Sequence, residues 1–180
     1  DWGVLALVPH VARERFSGAA GNPRIEIQAS ELQHNVILGH RRLRIIDLSD
    51  AGRQPMGDAS SGAWITYNGE VYNYLELKRE LSGYPFRGDS DTEVVLAAYE
   101  RWGEDCLMRF VGMFAFAIWD AEKKHLFCAR DRLGVKPFHY AHHSGRFLFA
   151  SEVKALLVAG VPAEPDRESW ALYLTHGVYE

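Results

Sequence analysis

The chain has 180 residues, 47% of them hydrophobic and 24% charged, which excludes a disordered protein and suits a single globular domain. Its formal net charge of -4 argues against nucleic acid as a partner, because phosphate backbones attract basic surfaces. No run approaches the roughly 18 apolar residues that span a bilayer, and charged residues at 13–15 interrupt the place of a signal peptide. We therefore expect a cytoplasmic protein with no membrane partner.

The first part of the chain carries short strand patterns. Residues 4–8 form an apolar run typical of a buried strand, and residues 24–28 alternate between polar and apolar side chains. The stretch at 16–23 is rich in Gly, Ala and Ser and predicts a mobile loop between them. Further strand patterns follow at 34–38 and 44–47.

A longer strand is predicted over residues 63–67. Asn68-Gly69 follows at once, and this dipeptide is typical of tight turns. We therefore expect the strand to stop there.

Two helices are predicted next. Apolar residues recur at helical spacing, which indicates an amphipathic helix over residues 72–82. A second helix is expected to begin after Ser90, because Ser90 and Glu93 have the spacing of a capping box. Gly103 is expected to end this helix, and a short helical turn follows at 106–110.

The remaining pattern is one of strands and turns, with strands predicted at 113–119, 125–130, 138–142 and 146–150. We expect them to form consecutive hairpins. Neighbouring strands with helices inserted as a pair favour an α+β protein, in which antiparallel sheets are covered by helices.

Several side chains invite a chemical interpretation. Cys106 and Cys128 lack the spacing of a zinc or redox motif, so we expect two buried structural thiols. His139, His142 and His143 could suggest a metal site, but a paired strand and its turn explain them, and no carboxylate or thiolate accompanies them at ligand spacing. No metal site is therefore predicted.

A charged turn follows the strand at 125–130. It contains Arg130, Asp131, Arg132 and Lys136. We expect an ion-pair network there rather than a phosphate site.

Six ordered segments of the chain are specific enough to compare with known families. They are GHRRLRIIDLSDAGRQPM at 39–56, YNGEVYNYLELKREL at 67–81, SDTEVVLAAYERWGEDCL at 90–107, GMFAFAIWD at 112–120, ARDRLGVKP at 129–137 and FLFASEVKALL at 147–157. Together they resemble the amino-terminal domain of glutamine-dependent asparagine synthetase. That domain has the class II glutamine amidotransferase fold, an N-terminal-nucleophile hydrolase in which two antiparallel sheets lie between helices. The resemblance implies an αββα sandwich that hydrolyses glutamine to glutamate and ammonia for asparagine synthesis.

The resemblance also implies a set of site residues. In the family a first-residue cysteine attacks the glutamine amide carbon while its own α-amine acts as base. The developing oxyanion would be held by the side-chain amide of Asn68 and the backbone N–H of Gly69. An arginine would hold the α-carboxylate of glutamine, and two carboxylates would hold its α-ammonium. The substrate-binding residues implied in this way are Arg42, Leu43, Ile45, Glu70 and Asp91.

Each of these residues also has an ordinary structural interpretation. Asn68-Gly69 could be a turn, Glu70 a first-turn carboxylate favoured by the helix dipole, and Asp91 a helix cap. Arg42 could lie on a solvated strand face. Their joint placement in family-like segments favours the site.

The chain departs from the family pattern at two places. It begins Asp1-Trp2-Gly3, so Trp2 occupies the position of the nucleophilic cysteine, and an indole cannot attack a carbonyl. The family segment His-Arg-Gly-Pro-Asp before the strand at 34–38 is also missing. We therefore expect a chain that is inactive as written. The alternative is a non-catalytic structural module of an amide-forming synthetase.

We assign residues 1–160 to the amidotransferase domain. Residues 161–180 are expected to form a linker and the start of a C-terminal synthetase domain, against which apolar residues at 169–174 would pack. No cofactor is expected in the amidotransferase domain, since the resemblance places ATP and magnesium in the synthetase domain. The expected partners are glutamine and that second domain, and a homodimer is left open.

Overall fold

The computed structural model describes residues 6–9, 11–16, 24–29, 36–41, 50–58 and 61–177. Within these ranges the strands are β1 Ala6–Pro9, β2 Val11–Phe16, β3 Arg24–Ala29, β4 Ile37–Leu38, β5 Met56–Asp58, β6 Ala63–Val71, β7 Gly112–Asp120, β8 His125–Arg130, β9 His139–His143 and β10 Arg146–Ala150. The helices are α1 Tyr74–Glu80, α2 Asp91–Trp102, α3 Val153–Val158 and α4 Arg167–His176, with 3₁₀ helices at Asp50–Gly52 and Gly103–Arg109.

The strands form two antiparallel sheets. One has the order β4-β1-β10-β9, and the other has the order β2-β3-β8-β7-β6-β5. β7 and β8 form the expected hairpin, as do β9 and β10. The hairpin expected between β8 and β9 is wrong, because β8 pairs with β3 on its other side and the chain then crosses to the second sheet.

Three clusters of buried side chains show how the layers stack. One joins the six-stranded sheet to α1 and α2 and includes Leu77, Leu96 and Phe116. A second lies between the sheets around Ala117 and Phe147. A third packs the outer face of the four-stranded sheet on α3. The predicted sandwich of two sheets between helices is confirmed, and the burial of apolar side chains between these layers stabilises it.

The turn predicted at Asn68-Gly69 is wrong, because β6 continues through both residues to Val71. β7 offers a partner along the whole of β6, and this pairing prevails over the local preference of the dipeptide for a turn. Glu70 consequently lies in a strand, not in the first turn of a helix, since α1 begins only at Tyr74. The sequence pattern also missed β2. Of the loop predicted at 16–23, residues 17–23 lie outside the described residues.

The start of α2 follows the prediction in part. Ser90 caps the helix, with its side chain accepting the N–H of Thr92 at 3.1 Å. Glu93, however, does not complete a capping box, because its carboxylate accepts the backbone N–H groups of Arg87 and Gly88 and so fastens the preceding loop. Gly103 ends the helix in a backbone conformation with φ of 60°, which favours glycine.

Cys106 and Cys128 are both buried, as predicted, and neither forms a disulfide bond. Desolvation by burial raises the pKa of the Cys128 thiol. His139, His142 and His143 lie on β9, paired with β10. Among the described residues, no group of three or more His, Cys, Asp and Glu side chains could hold a metal ion.

The charged turn after β8 is held by bonds to its own backbone. Arg130 donates to the carbonyl oxygens of Gly134 and Lys136. The Asp131 carboxylate, which is 3% exposed, accepts four backbone N–H groups at 2.9 to 3.2 Å. Arg130 and Asp131 thus bond to backbone atoms, and among the described residues no ion pair joins the charged side chains of this turn, in contrast to the expected network. The four donors are Phe114, Leu133, Val135 and Lys136.

Helix α4 has no buried residue, and Trp170 and Leu174 are exposed. Because packing on a partner layer stabilises most protein helices, we expect amide hydrogens of 167–176 to exchange far faster than those of β7. Hydrogen exchange followed by mass spectrometry would measure this. Equal protection of α4 and β7 would contradict it.

Candidate active site

The predicted site residues that the structure describes lie together at one edge of β6. β5 pairs with β6 only between Ala63 and Ile65, so the stretch from Tyr67 to Val71 runs beyond this neighbour. On the other side, β7 pairs with the whole of β6. Within the described part of the chain, no strand covers this end of β6, so side chains and small molecules could bond to its backbone edge.

The backbone N–H groups of alternate residues point to this edge. In an antiparallel pair, successive residues direct their N–H groups toward and away from the partner strand. Tyr67 N–H donates to Oε1 of Gln54 at 2.7 Å. Val71 N–H donates to Oδ2 of Asp91 at 3.1 Å. Both therefore point away from β7, and Gly69, midway between them, directs its N–H to the same edge.

The close approach of β7 explains why glycine stands at position 69. Gly69 lies opposite Phe114, whose N–H donates to Asp131 on the far side, so the two residues form a non-hydrogen-bonded pair. A Cβ at Gly69 would lie 2.4 Å from the carbonyl oxygen of Met113 and 2.6 Å from Cα of Phe114. No other residue fits without moving the strand pair.

Side chains alternate along a strand, so those of Thr66, Asn68 and Glu70 lie on one face of β6. This face is turned toward the four-stranded sheet. Asn68 and Glu70 are partly exposed, whereas Thr66 is buried. Oγ1 of Thr66 lies 3.3 Å from Nδ1 of His40. This contact brings the segment that leads to Arg42 against the strand just before Asn68.

Asp91 is the first residue of α2 and is 5% exposed. Its Oδ2 accepts a hydrogen bond from the Tyr67 hydroxyl at 2.7 Å as well as the Val71 N–H. Desolvation by burial raises the pKa of Asp91, and the negative charge of Glu70 adds to this, while the hydrogen bonds oppose it. Burial and the Asp91 charge raise the pKa of Tyr67 well above its ordinary value, so this phenol remains a donor.

This arrangement suits an amino acid that carries a carbonyl group on its side chain. A backbone N–H beside an amide side chain can hold a carbonyl oxygen or the oxyanion formed from it. Two neighbouring carboxylates, Glu70 and Asp91, can hold an ammonium group. Burial disfavours the charged form of the Asp91 carboxylate, and an ammonium group bound beside it would compensate this charge.

Comparison with protein families matches residues 26–180 to a family described as glutamine amidotransferase domain. The chain belongs to this family. It is 49% identical over 138 residues, 74% of its length, to the glutamine-hydrolyzing asparagine synthetase 3 of Bacillus subtilis (strain 168). A putative glutamine-hydrolyzing asparagine synthetase of Mycobacterium tuberculosis (strain ATCC 25618 / H37Rv) is 41% identical over 181 residues, 94% of the chain. The chain spans 22% and 27% of the length of these two relatives.

The fold of the amidotransferase domain is shared with a distant solved structure. It is the glutamine phosphoribosylpyrophosphate amidotransferase from B. subtilis, solved with ADP and GMP. The match has a TM-score of 0.62 at 19% identity and covers 88% of this chain and 43% of the other. At this identity the likeness establishes the common fold alone.

Four of the predicted site positions of the amidotransferase domain, Trp2, Arg42, Leu43 and Ile45, lie outside the described residues. Their roles therefore stay predictions. The other predicted residues, Asn68 to Glu70 and Asp91, lie together at the β6 edge.

Two residues at this edge were missed by the sequence analysis, Gln54 and Tyr67. Gln54 lies within one of the family-like segments, but nothing in its local pattern indicates a bond to β6. Tyr67 could be recognised as a strand residue, but not as the donor to Asp91, which lies 24 positions away.

None of the described helices is long and apolar enough to cross a membrane.

Proposed function

We propose that this amidotransferase domain binds glutamine at the β6 edge, in an asparagine-forming enzyme of the cytoplasm whose family reaction releases glutamate and ammonia. The observation that carries the proposal is the Gly69 N–H directed at the edge, between N–H groups bonded to Gln54 and Asp91. The two relatives with glutamine-hydrolyzing asparagine synthetase in their names support the reaction class.

Glutamine would lie with its α-ammonium at Asp91 and Glu70 and its side-chain carbonyl oxygen at Gly69 N–H and the Asn68 amide. The bound ammonium would compensate the buried Asp91 charge, and the donors would hold the oxygen on which negative charge develops. Arg42 would complete the site at the α-carboxylate, with Leu43 and Ile45 beside it.

The proposed partner is the C-terminal synthetase domain that the greater length of the relatives suggests. That domain would use ATP and magnesium, and the 161–180 segment would lead to it from the amidotransferase domain at 1–160. The exposed apolar side chains of α4 are suited to packing on such a domain.

A second candidate function is a non-catalytic module that supports an amide-forming synthetase. It is favoured by the burial of both thiols, since Cys106 and Cys128 are 0% and 1% exposed, and by Trp2 at the position where the resemblance would place the nucleophile. Glutamine binding separates the two candidates, because a purely structural module has no need of a pocket for it.

The 180-residue chain is expected to release no ammonia from glutamine above the uncatalysed rate. Its two thiols are buried, and a thiol must reach the amide carbon to attack it. A coupled ammonia assay would measure this. A chain that starts at position 2 with Trp2→Cys is the companion sample, and we expect weak recovery at best. Ammonia release from the unmodified chain that a thiol-alkylating reagent blocks would contradict the prediction.

Asp91→Asn is expected to weaken glutamine binding at least about thirtyfold, because loss of one partner of a desolvated charge pair costs about 2–5 kcal/mol. Arg42→Ala should have a similar effect at the other end of the ligand. Calorimetric titration of glutamine measures both. The matched control is Asp89→Asn, whose side chain is 91% exposed.

The same Asp91→Asn variant should be as stable as the natural chain at neutral pH, or more so. Because the pKa of Asp91 is raised in the folded protein, its protonated form contributes to the stability of the fold. This contribution is fully present below the pKa of the unfolded state and is lost as pH rises through the pKa of the folded state. Asparagine is neutral throughout and can still accept from Tyr67 and Val71. Urea unfolding at pH 7 would contradict the proposal if Asp91→Asn cost more than about 1 kcal/mol.

Absence of glutamine binding by the natural chain would favour the structural module.

A further inference from the structure

We infer that Gln54 is a positioning residue that keeps the Gly69 N–H aimed at the ligand, an inference that rests on the proposed function. Gln54 is partly buried and precedes β5, outside the set of residues proposed to contact glutamine. It acts on the site through the backbone of β6 and the first turn of α2.

The side-chain amide of Gln54 joins the two elements that carry the site. Its Oε1 accepts the Tyr67 N–H at 2.7 Å, two residues before Gly69. Its Nε2 donates to Oγ1 of Thr92 at 3.2 Å. Thr92 is 3% exposed and follows Asp91 directly in α2. One side chain thus connects β6, which carries the proposed oxyanion donor, to α2, which carries the carboxylate proposed to bind the ammonium group.

Gln54 also takes the place of a missing strand. β5 stops pairing at Met56, opposite Ile65, so the next N–H group on this edge, that of Tyr67, has no described strand to receive it. The Gln54 carbonyl receives it instead. Asp91 does the same for Val71 on the far side, so the N–H groups flanking Gly69 are both bonded to side chains. This leaves Gly69 as the position between them where a ligand oxygen can enter.

The two bonds of Gln54 require an acceptor for the Tyr67 N–H and a second polar atom that can bond to the Thr92 hydroxyl. Glutamate at this position keeps an acceptor for the Tyr67 N–H, and the Thr92 hydroxyl can reverse its role and donate to it. Methionine has a similar length and can make neither bond. Gln54→Met therefore removes the bridge at nearly constant volume, and Gln54→Glu is the matched control that keeps the bond to β6.

The first measurement is the affinity of two ligands by NMR titration. Glutamine presents a side-chain carbonyl to Gly69, whereas norvaline has the same α-amino acid group and no such carbonyl. Gln54→Met should weaken glutamine binding about tenfold and leave norvaline binding unchanged, and Gln54→Glu should restore glutamine affinity. Equal loss for both ligands, or no loss for either, would overturn the inference.

The second measurement needs no ligand, so it separates failure of this inference from failure of the proposed function. In Gln54→Met the Tyr67 amide hydrogen should exchange about tenfold faster, while Val71 and the β7 residue Ile118 keep their protection. Unchanged exchange at Tyr67, or equal acceleration at all three amides, would overturn the role of Gln54. If the natural chain binds no glutamine, the proposed function falls, and Tyr67 exchange alone then decides whether Gln54 holds the β6 edge.

Discussion

Gly69→Ala is expected to destabilise the domain by about 3 kcal/mol, the upper end of the usual cost of overpacking, and to abolish glutamine binding. The new Cβ would meet backbone atoms of β7 at 2.4 and 2.6 Å, and backbone atoms cannot rotate aside as a side chain can. β6 and β7 would have to separate locally, which turns the Gly69 N–H away from the edge. Urea unfolding and calorimetric titration of glutamine measure the two effects.

Gly83→Ala is the matched control for this variant. A Cβ at Gly83 would meet no atom within 4 Å, so the same chemical change there should alter stability by less than about 1 kcal/mol. Similar stability for the two variants would show that β7 does not approach Gly69 as closely as described. Retained glutamine affinity in Gly69→Ala would remove Gly69 from the site.

Asp131→Ala is expected to cost about 4 kcal/mol, because four backbone N–H groups would each lose an acceptor worth about 1 kcal/mol. The carboxylate holds the turn after β8 against the start of β7 through the N–H of Phe114. Its loss should therefore also loosen the strand that pairs with Gly69. Thermal unfolding measures the effect, and Asp89→Ala, which breaks an ion pair between Lys78 and a carboxylate that is 91% exposed, should cost about 0–1 kcal/mol.

The pH dependence of stability provides a second test of Asp131. Burial acts to raise the pKa of Asp131, but the four backbone N–H groups outweigh it and hold the pKa below its ordinary value. A carboxylate with a lowered folded pKa stabilises the protein above its unfolded pKa, and this contribution is lost as pH falls through the folded pKa. The natural chain and Asp131→Ala should therefore converge in stability at low pH. A constant difference at every pH would contradict this assignment.

Much of the architecture was predictable because it follows from local patterns. The apolar faces of α1 and α2, the cap at Ser90 and the bounds of β8 and β10 each depend on side chains within one element. The burial of Cys106 and Cys128 also follows from their apolar neighbours. Where only local propensity was available, at Asn68-Gly69, it predicted a turn that the long pairing with β7 prevents.

The candidate site was predictable only as a set of residues. The family-like segments indicate which residues belong to it, and the described ones, Asn68 to Glu70 and Asp91, do lie together. Their bonding was not predictable, because the partners are distant in the chain: Gln54 lies 13 positions from Tyr67 and 38 from Thr92. Glu93 illustrates the same limit, since its carboxylate bonds to the loop before the helix rather than to the cap.

By itself, the sequence determined the family and the sandwich of two sheets between helices. These depend on which side chains are present and on their spacing along the chain. The tertiary structure decided the direction of the Gly69 N–H and the environment of Asp91. The direction of the N–H depends on which side of β6 is paired with β7 and on where β5 stops. The environment of Asp91 depends on α2, whose first residue bonds to the part of β6 that β5 does not cover. Such relations between distant segments arise only when the layers pack, and here they determine which backbone groups a ligand can reach.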